Sequence, residues 1–332
     1  MNRRLTGIGQ HTKGSVLLKL FKQWTLPIAM ITGVAVYFIY TNIHCLDCTH
    51  QMMNDVVSVV QPFLIFCMLF LSFCKVNPND LCPHLWQLKL LAVQIIGFMI
   101  CAIPILLFPE MKGRILLESA MICLICPTAT AAVVVVNRLK GNVSYTISYT
   151  CLINLVVAIV FPAVISLMYK GNANAEFLTS FIMILGHVFP VLILPLIFAM
   201  IVRYLFPKLL IKLQRNADKA FYLWCISLAL CMAVTTKAIV HGHESLITFV
   251  FLGLVSALCC IFQFKIGHYI GKHHNAQISG GQSLGQKNTA FAIWLAYTFM
   301  NPVSAIAGGF YVIWHNSYNS YQLYKANNDL SA

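Results

Sequence analysis

Lys287 is the residue whose chemistry fits its surroundings least. It stands in Ser279-Gly280-Gly281-Gln282-Ser283-Leu284-Gly285-Gln286-Lys287-Asn288, the polar opening of a run that is otherwise apolar as far as Phe299. An ammonium inside such a run is expensive and as a rule faces a protein interior or a water-filled cavity. A cation there can hold an anionic ligand or replace a soluble coupling ion. The competing reading is a lysine near a helix start that snorkels to the membrane surface. A second polar set is Thr146, Thr150 and Asn154, which project from one helix face at four-residue spacing. Taken singly, such hydroxyls often bond carbonyls of their own helix. A third set sits in Cys126-Pro127-Thr128-Ala129-Thr130, where proline removes a backbone donor and clashes with the preceding turn, so that Thr128 and Thr130 flank a helix break. Gln94, His315 and Asn316 are further polar groups in apolar runs, and each alone reads as an interhelical hydrogen bond. Glu118, near the end of its run, reads as an interfacial carboxylate.

Other chemistries find no support. The sequence contains no nucleophile elbow, phosphate loop or His-Glu-x-x-His, and its apolar runs hold no pair of central carboxylates, which argues against an enzyme and calls for no cofactor. His44-Cys45-Leu46-Asp47-Cys48-Thr49-His50 holds one Cys-x-x-Cys without a second ligand pair, so it reads as a disulfide or as inert thiols, and no metal is expected. His241, His243, His268, His273 and His274 read as solvated loop residues. Most of the 13 cysteines lie in apolar runs and act as small hydrophobes.

The elements that position these residues follow from hydropathy. With 59% hydrophobic and 9% charged residues in 332, the chain has too little polar surface for a soluble domain. Apolar runs of bilayer-crossing length recur at 24–43, 56–74, 88–108, 115–136, 143–168, 177–202, 220–240, 246–264, 279–299 and 302–322. A spanning segment must satisfy its own backbone, and none shows the alternation of a barrel strand, so all ten read as helices. The net charge of +13 comes from scattered basic residues without interleaved aromatics, which excludes nucleic acid as a partner and points to the lipid bilayer. With residues 1–23 inside as a retained tail, 17 of the 22 Lys and Arg fall on one side and 4 on the other, Lys287 being intramembrane. The positive-inside rule therefore places both termini, including residues 323–332, in the cytoplasm of a cell inner (plasma) membrane protein. Ten helices divide into two fives, and the two irregular spans, the fourth and the ninth, hold matching positions, the pattern of an inverted-repeat transporter.

The interrupted segments resemble those of the bile acid:sodium symporter family. Cys126-Pro127-Thr128-Ala129-Thr130-Ala131-Ala132-Val133, continuing to Lys140-Gly141-Asn142, is similar to that family's fourth-helix motif Cys-Pro-Gly-Gly-Thr-Ala-Ser-Asn and its basic-Gly-Asn turn. Gly285-Gln286-Lys287-Asn288-Thr289-Ala290 is similar to the ninth-helix Gly-Met-Gln-Asn-Ser, and Val312-Ile313-Trp314-His315-Asn316 to the tenth-helix Val-Trp-His-Asn. The resemblance implies a panel domain of residues 24–74 and 177–240 and a core domain of residues 88–168 and 246–322, with broken helices 4 and 9 crossing in the core. It also implies a small organic anion as substrate, bound between the domains.

The departures bear on the ion. Sodium ligands of the family fall here on Ala132 and Val133 in helix four, on Ser283 in place of a glutamate and on Lys287 in place of a glutamine, while Gln94, Thr146 and Thr150 keep their polarity. A hard cation needs several oxygens and preferably a carboxylate. The first sodium site is therefore expected to be lost, and Lys287 to repel sodium from the second. Sodium-independent transport is the expectation, with Lys287 as the anion-binding or charge-compensating site and Ser283, Gln286 and Asn288 among the other candidate binding residues. Desolvated amines release their proton more readily than hydrated ones, which leaves a proton as a candidate coupling ion. The alternative is a membrane receptor that binds its ligand without moving it.

Overall fold

The computed structural model describes residues 28–168, 174–216, 220–241 and 244–329. The predicted N-terminal tail, the last three residues, Lys170, Lys219 and His243 lie outside them. Every regular element among the described residues is helical. Helix α1 spans Ile28–Asn42, and a 3-10 turn at His44–Thr49 leads into α2 (His50–Cys74). There follow α3 (Gln87–Leu107), α4 (Arg114–Ile125), α5 (Ala131–Arg138), α6 (Val143–Met168), α7 (Asn174–Leu192), α8 (Leu194–Leu205), α9 (Pro207–Asn216) and α10 (Ala220–His241). The chain closes with α11 (Leu246–Lys272), α12 (Gln277–Gly285), α13 (Thr289–Phe299) and α14 (Ala305–Asp329).

By length and composition five of these, within α2, α3, α6, α10 and α11, can cross a membrane, and a sixth span results if α7 and α8, bent by 41° between Pro190 and Pro195, are counted together. The predicted breaks at 126–130 and 286–288 are real interruptions. Helices α4, α5, α12 and α13 have 12, 8, 9 and 11 residues, each too short to cross alone. Three boundaries differ from expectation by six residues or more. Helix α2 starts six residues early at His50, α14 continues to Asp329, and α11 runs beyond 264 to Lys272. His268 is thereby placed in a helix and not in a loop. Hydropathy stops at the last apolar residue, whereas contacts with α12 carry the helix further.

Helix α2 packs on α7, α8 and α10, while α11 packs on α3, α4, α12 and α14. The α11–α12 hairpin is the tightest of these pairs, because glycines let the two backbones touch. A Cβ on Gly280 would stand 2.5 Å from the Gly267 carbonyl oxygen, and one on Gly285 would enter the Phe264 ring. Small residues at such crossings are the membrane's usual means of close helix approach. At the far end of α4, Glu118 is 1% exposed. Its Oε1 accepts from Arg114 Nε at 2.7 Å and its Oε2 from the Asn301 amide at 3.1 Å. The expected interfacial carboxylate is thus a buried clamp that ties α4 to the turn before α14.

Gly280→Val is expected to lower the melting temperature of the detergent-solubilised protein by several degrees, the effect of about 1–3 kcal/mol of overpacking. Gly186→Val, where a Cβ meets nothing within 4 Å, is the control and is expected to melt like wild type.

Candidate functional site

Two helices that break inside an apolar medium expose carbonyls at the end of one half and amides at the start of the next. Here the two breaks satisfy each other. Thr128 and Lys287 form an isolated antiparallel bridge, in which the Ala129 amide donates to the Gln286 carbonyl at 2.8 Å and the Asn288 amide to the Pro127 carbonyl at 2.9 Å. The Thr128 hydroxyl donates to the Ser283 carbonyl, and the Cys126 thiol to the Asn288 carbonyl. Further carbonyls at the breaks are met by side chains from neighbouring helices. Gln94 Nε2 donates to the carbonyls of Ile125 and Cys126 at 2.8 and 2.9 Å, and its Oε1 accepts from the Tyr149 hydroxyl at 2.9 Å. Tyr311 Oη donates to the Gly285 carbonyl at 2.8 Å and accepts from Gln263 Nε2.

Lys287 follows directly on the end of α12. It is 1% exposed, so it does not snorkel to the surface. Among the described residues Nζ has no hydrogen-bond partner, and no carboxylate is paired with it. The thiols of Cys123 and Cys126 on the α4 side and Cys259 and Cys260 on α11 lie close enough to feel its charge. Neutral thiols supply no counter-charge. The carbonyl ends of α4 and α12 and the amide ends of α5 and α13 all meet at the crossing, so the half-helix dipoles largely offset one another and supply no net counter-charge to the amine.

The other predicted residues divide into two groups. Thr146 Oγ1, both amide atoms of Asn154, Ser283 Oγ, Gln286 Oε1 and His315 Nδ1 are buried without a partner among the described residues. Thr150, in contrast, donates to the Thr146 carbonyl of its own helix at 2.7 Å, and Asn316 to Val312 of its own helix at 2.7 Å. Asn288 caps α13 by accepting from the Phe291 amide at 3.3 Å. Thr130 precedes α5 without a capping side-chain bond. Gln94 and Thr128 therefore have their hydrogen-bonding groups committed to the crossing and its neighbours, and Asn288 its side-chain oxygen. Ala132 is fully buried and Val133 partly so, both on the first turns of α5.

Residues not anticipated from the sequence include Tyr149, Gln263 and Tyr311, and a polar chain in which Gln282 Nε2 donates to Asn319 Oδ1 and Gln322 Oε1, each at 2.8 Å. Gln322 Nε2 lies 3.1 Å from His268 Nε2, and His268 Nδ1 lies 2.7 Å from the Phe264 carbonyl. His268, expected to be solvated, is held inside this chain because α11 continues past its apolar run. Gln263, an amide within an apolar span, was the available signal. The tyrosines gave none, since a spanning tyrosine also suits the lipid interface. Cys45 and Cys48 are free and exposed, and no group of three metal-ligating side chains occurs among the described residues.

Gln94→Leu removes two donors and one acceptor at once and is expected to cost about 2–3 kcal/mol in thermal or denaturant unfolding, more than the roughly 1 kcal/mol expected of Tyr149→Phe. The double variant is expected to be less destabilised than the sum, because the two share a bond. Additive losses would show that Gln94 and Tyr149 act apart.

The sequence profile of the Sodium Bile acid symporter family matches residues 62–249, more than half of the chain. The matched segment contains the α4–α5 break and ends before α12. A similar protein is the Uncharacterized sodium-dependent transporter YocS of Bacillus subtilis (strain 168), 25% identical over 199 residues. That alignment covers 58% of this chain and 58% of the relative's length. The profile match, together with paired helix interruptions in an all-helical membrane-spanning chain, carries the conclusion that the protein belongs to the Sodium Bile acid symporter family.

Proposed function

We propose that the protein is a secondary transporter of a small organic anion, working by alternating access without sodium, with Lys287 supplying the positive charge at the helix crossing. The observation that carries this is Lys287 Nζ, buried where the half-helix ends meet and with no anionic or hydrogen-bonding partner among the described residues. A bound anion would provide the missing counter-charge. The unpartnered Thr146, Asn154, Ser283 and Gln286 would supply hydrogen bonds, and Gln94, Thr128, Thr130, Thr150, Asn288, His315 and Asn316 would shape the site around them. Family membership supports transport. The relative from Bacillus subtilis is named as sodium-dependent, and sodium-independence here rests on this chain's own departures, Ala132, Val133, Ser283 and Lys287. Gln94 Oε1 accepts one hydrogen bond, from Tyr149, and has one acceptor position left for an ion.

The same reading assigns ten spans in two inverted repeats, counting α4 with α5 and α12 with α13 as interrupted spans and adding α1 and α14. Helices α1, α2, α7 with α8, and α10 form the panel, and the remainder form the core that moves against it. Both termini are cytoplasmic and the membrane is the inner one. The packing of α2 on α7, α8 and α10, and of α11 on α3, α4, α12 and α14, is consistent with that division.

A thermal-shift screen of organic anions, small carboxylates and the sulfonate taurocholate included, identifies a ligand, and its uptake is then measured in proteoliposomes. Flux is expected to be equal in sodium, potassium and choline media and to fall at least about tenfold in Lys287→Ala, the effect of losing a charge-assisted contact. Strict sodium dependence, or unchanged uptake by Lys287→Ala, overturns the mechanism. Saturable binding without flux would identify a receptor instead.

A further inference from the structure

Helix α9 is not used by the site described above. Arg203, near the end of α8, donates through Nη2 to the Cys74 carbonyl at 3.0 Å, and Gln214, in the last turns of α9, donates to the same carbonyl at 2.9 Å. Eleven residues of one straight helix would separate these side chains by about 16 Å. Since both reach one oxygen, the chain turns sharply at Phe206-Pro207, and α9 crosses the end of α2 instead of prolonging α8. Helix α2 ends at Cys74, α8 ends at Leu205, and Tyr204 and Phe206 beside them are 69% and 54% exposed. Exposed aromatics at the end of a span mark the headgroup level of a bilayer.

The surface of α9 is divided in the same sense. Leu210, Leu213 and Gln214 lie on one side at i, i+3 and i+4, with Leu210 buried and Gln214 on the end of α2. Lys208, Lys212 and Arg215, at i, i+4 and i+7, form a stripe on the opposite side, and all three are exposed. Leu209 and Ile211 flank that stripe, one on each side, exposed by 43% and 60%. A basic stripe between aliphatic edges matches the layer where phosphate groups give way to acyl chains.

We propose that α9 lies in the headgroup layer and binds anionic phospholipid through Lys208, Lys212 and Arg215. The inference rests on α2 and α8 spanning the membrane and not on the transport reading. Charge complementarity favours anionic over zwitterionic lipid, with each basic residue near the surface strengthening attraction several-fold. The aliphatic edges favour a lipid over a soluble acidic partner. The full-length protein in neutral detergent is titrated with phosphatidylglycerol, with phosphatidylcholine and with free glycerol 3-phosphate, and followed by thermal shift and by native mass spectrometry of bound lipid. Phosphatidylglycerol alone is expected to bind and stabilise, less so at high salt. The variant Lys208→Gln/Lys212→Gln/Arg215→Gln, compared with wild type below the melting transition of both, is expected to bind phosphatidylglycerol about a hundredfold more weakly. Lys140→Gln/Lys272→Gln, which removes basic residues lining a separate cavity, is expected to bind as wild type does. Undiminished binding by the triple variant, equal binding of phosphatidylcholine, an equal effect of glycerol 3-phosphate, or loss of binding in the Lys140/Lys272 variant each overturns the proposal.

Discussion

Two helices that end inside the packed protein leave buried backbone groups in need of partners, and the helices around them are arranged to satisfy many of these. The breaks pair with each other through Ala129 with Gln286 and Asn288 with Pro127. Further carbonyls at the breaks are met by Gln94, Thr128 and Tyr311. Each of those side chains is positioned by an unbroken helix or by the opposite break, so α3, α6, α11 and α14 are held in register with the crossing. The glycine contacts of α11 with α12 serve the same end, since a crossing of this kind needs one half-helix to approach its support at backbone distance.

This arrangement separates residues that build the crossing from residues left free by it. Gln94, Thr128 and the side-chain oxygen of Asn288 are engaged, whereas Ser283, Gln286, Lys287, Thr146 and Asn154 retain buried polar atoms without partners. Buried polar groups are ordinarily paired, and their concentration along α12 and the facing α6 distinguishes this region from the clamp at Glu118, where both carboxylate oxygens are engaged. The contrast between Glu118 and Lys287 is one of charge balance. The buried acid has an arginine at 2.7 Å, while the buried amine has offsetting helix dipoles and thiols near it and no acid.

Membership in a symporter family is compatible with the sodium-independence proposed above. In the proposed reading a tethered ammonium takes the place of a soluble cation and needs no oxygen cage. Ala132 and Val133 could not serve in such a cage, and the oxygen of Gln94, which accepts from Tyr149, has one acceptor position left.

The sequence alone established that the chain is helical and membrane-spanning, that helices are interrupted near Pro127 and Lys287, and which residues carry polarity into the apolar runs. These are properties of local composition: apolar runs of bilayer length, a proline, a glycine-rich polar stretch and one lysine are all legible without coordinates. Only the tertiary structure decided which polar groups are spent and which are free. Thr150 and Thr146 look alike in sequence, yet one bonds its own helix and the other has no partner. Gln94 and Gln286 differ likewise. His268 and Glu118 were misjudged because hydropathy ends where apolar residues end, while α11 and α4 are extended and covered by neighbours distant in the chain. The bend that lays α9 across α2 was equally invisible, since it depends on two side chains eleven positions apart meeting a carbonyl of another helix. Burial and pairing depend on packing between segments remote in sequence, and no local pattern encodes them.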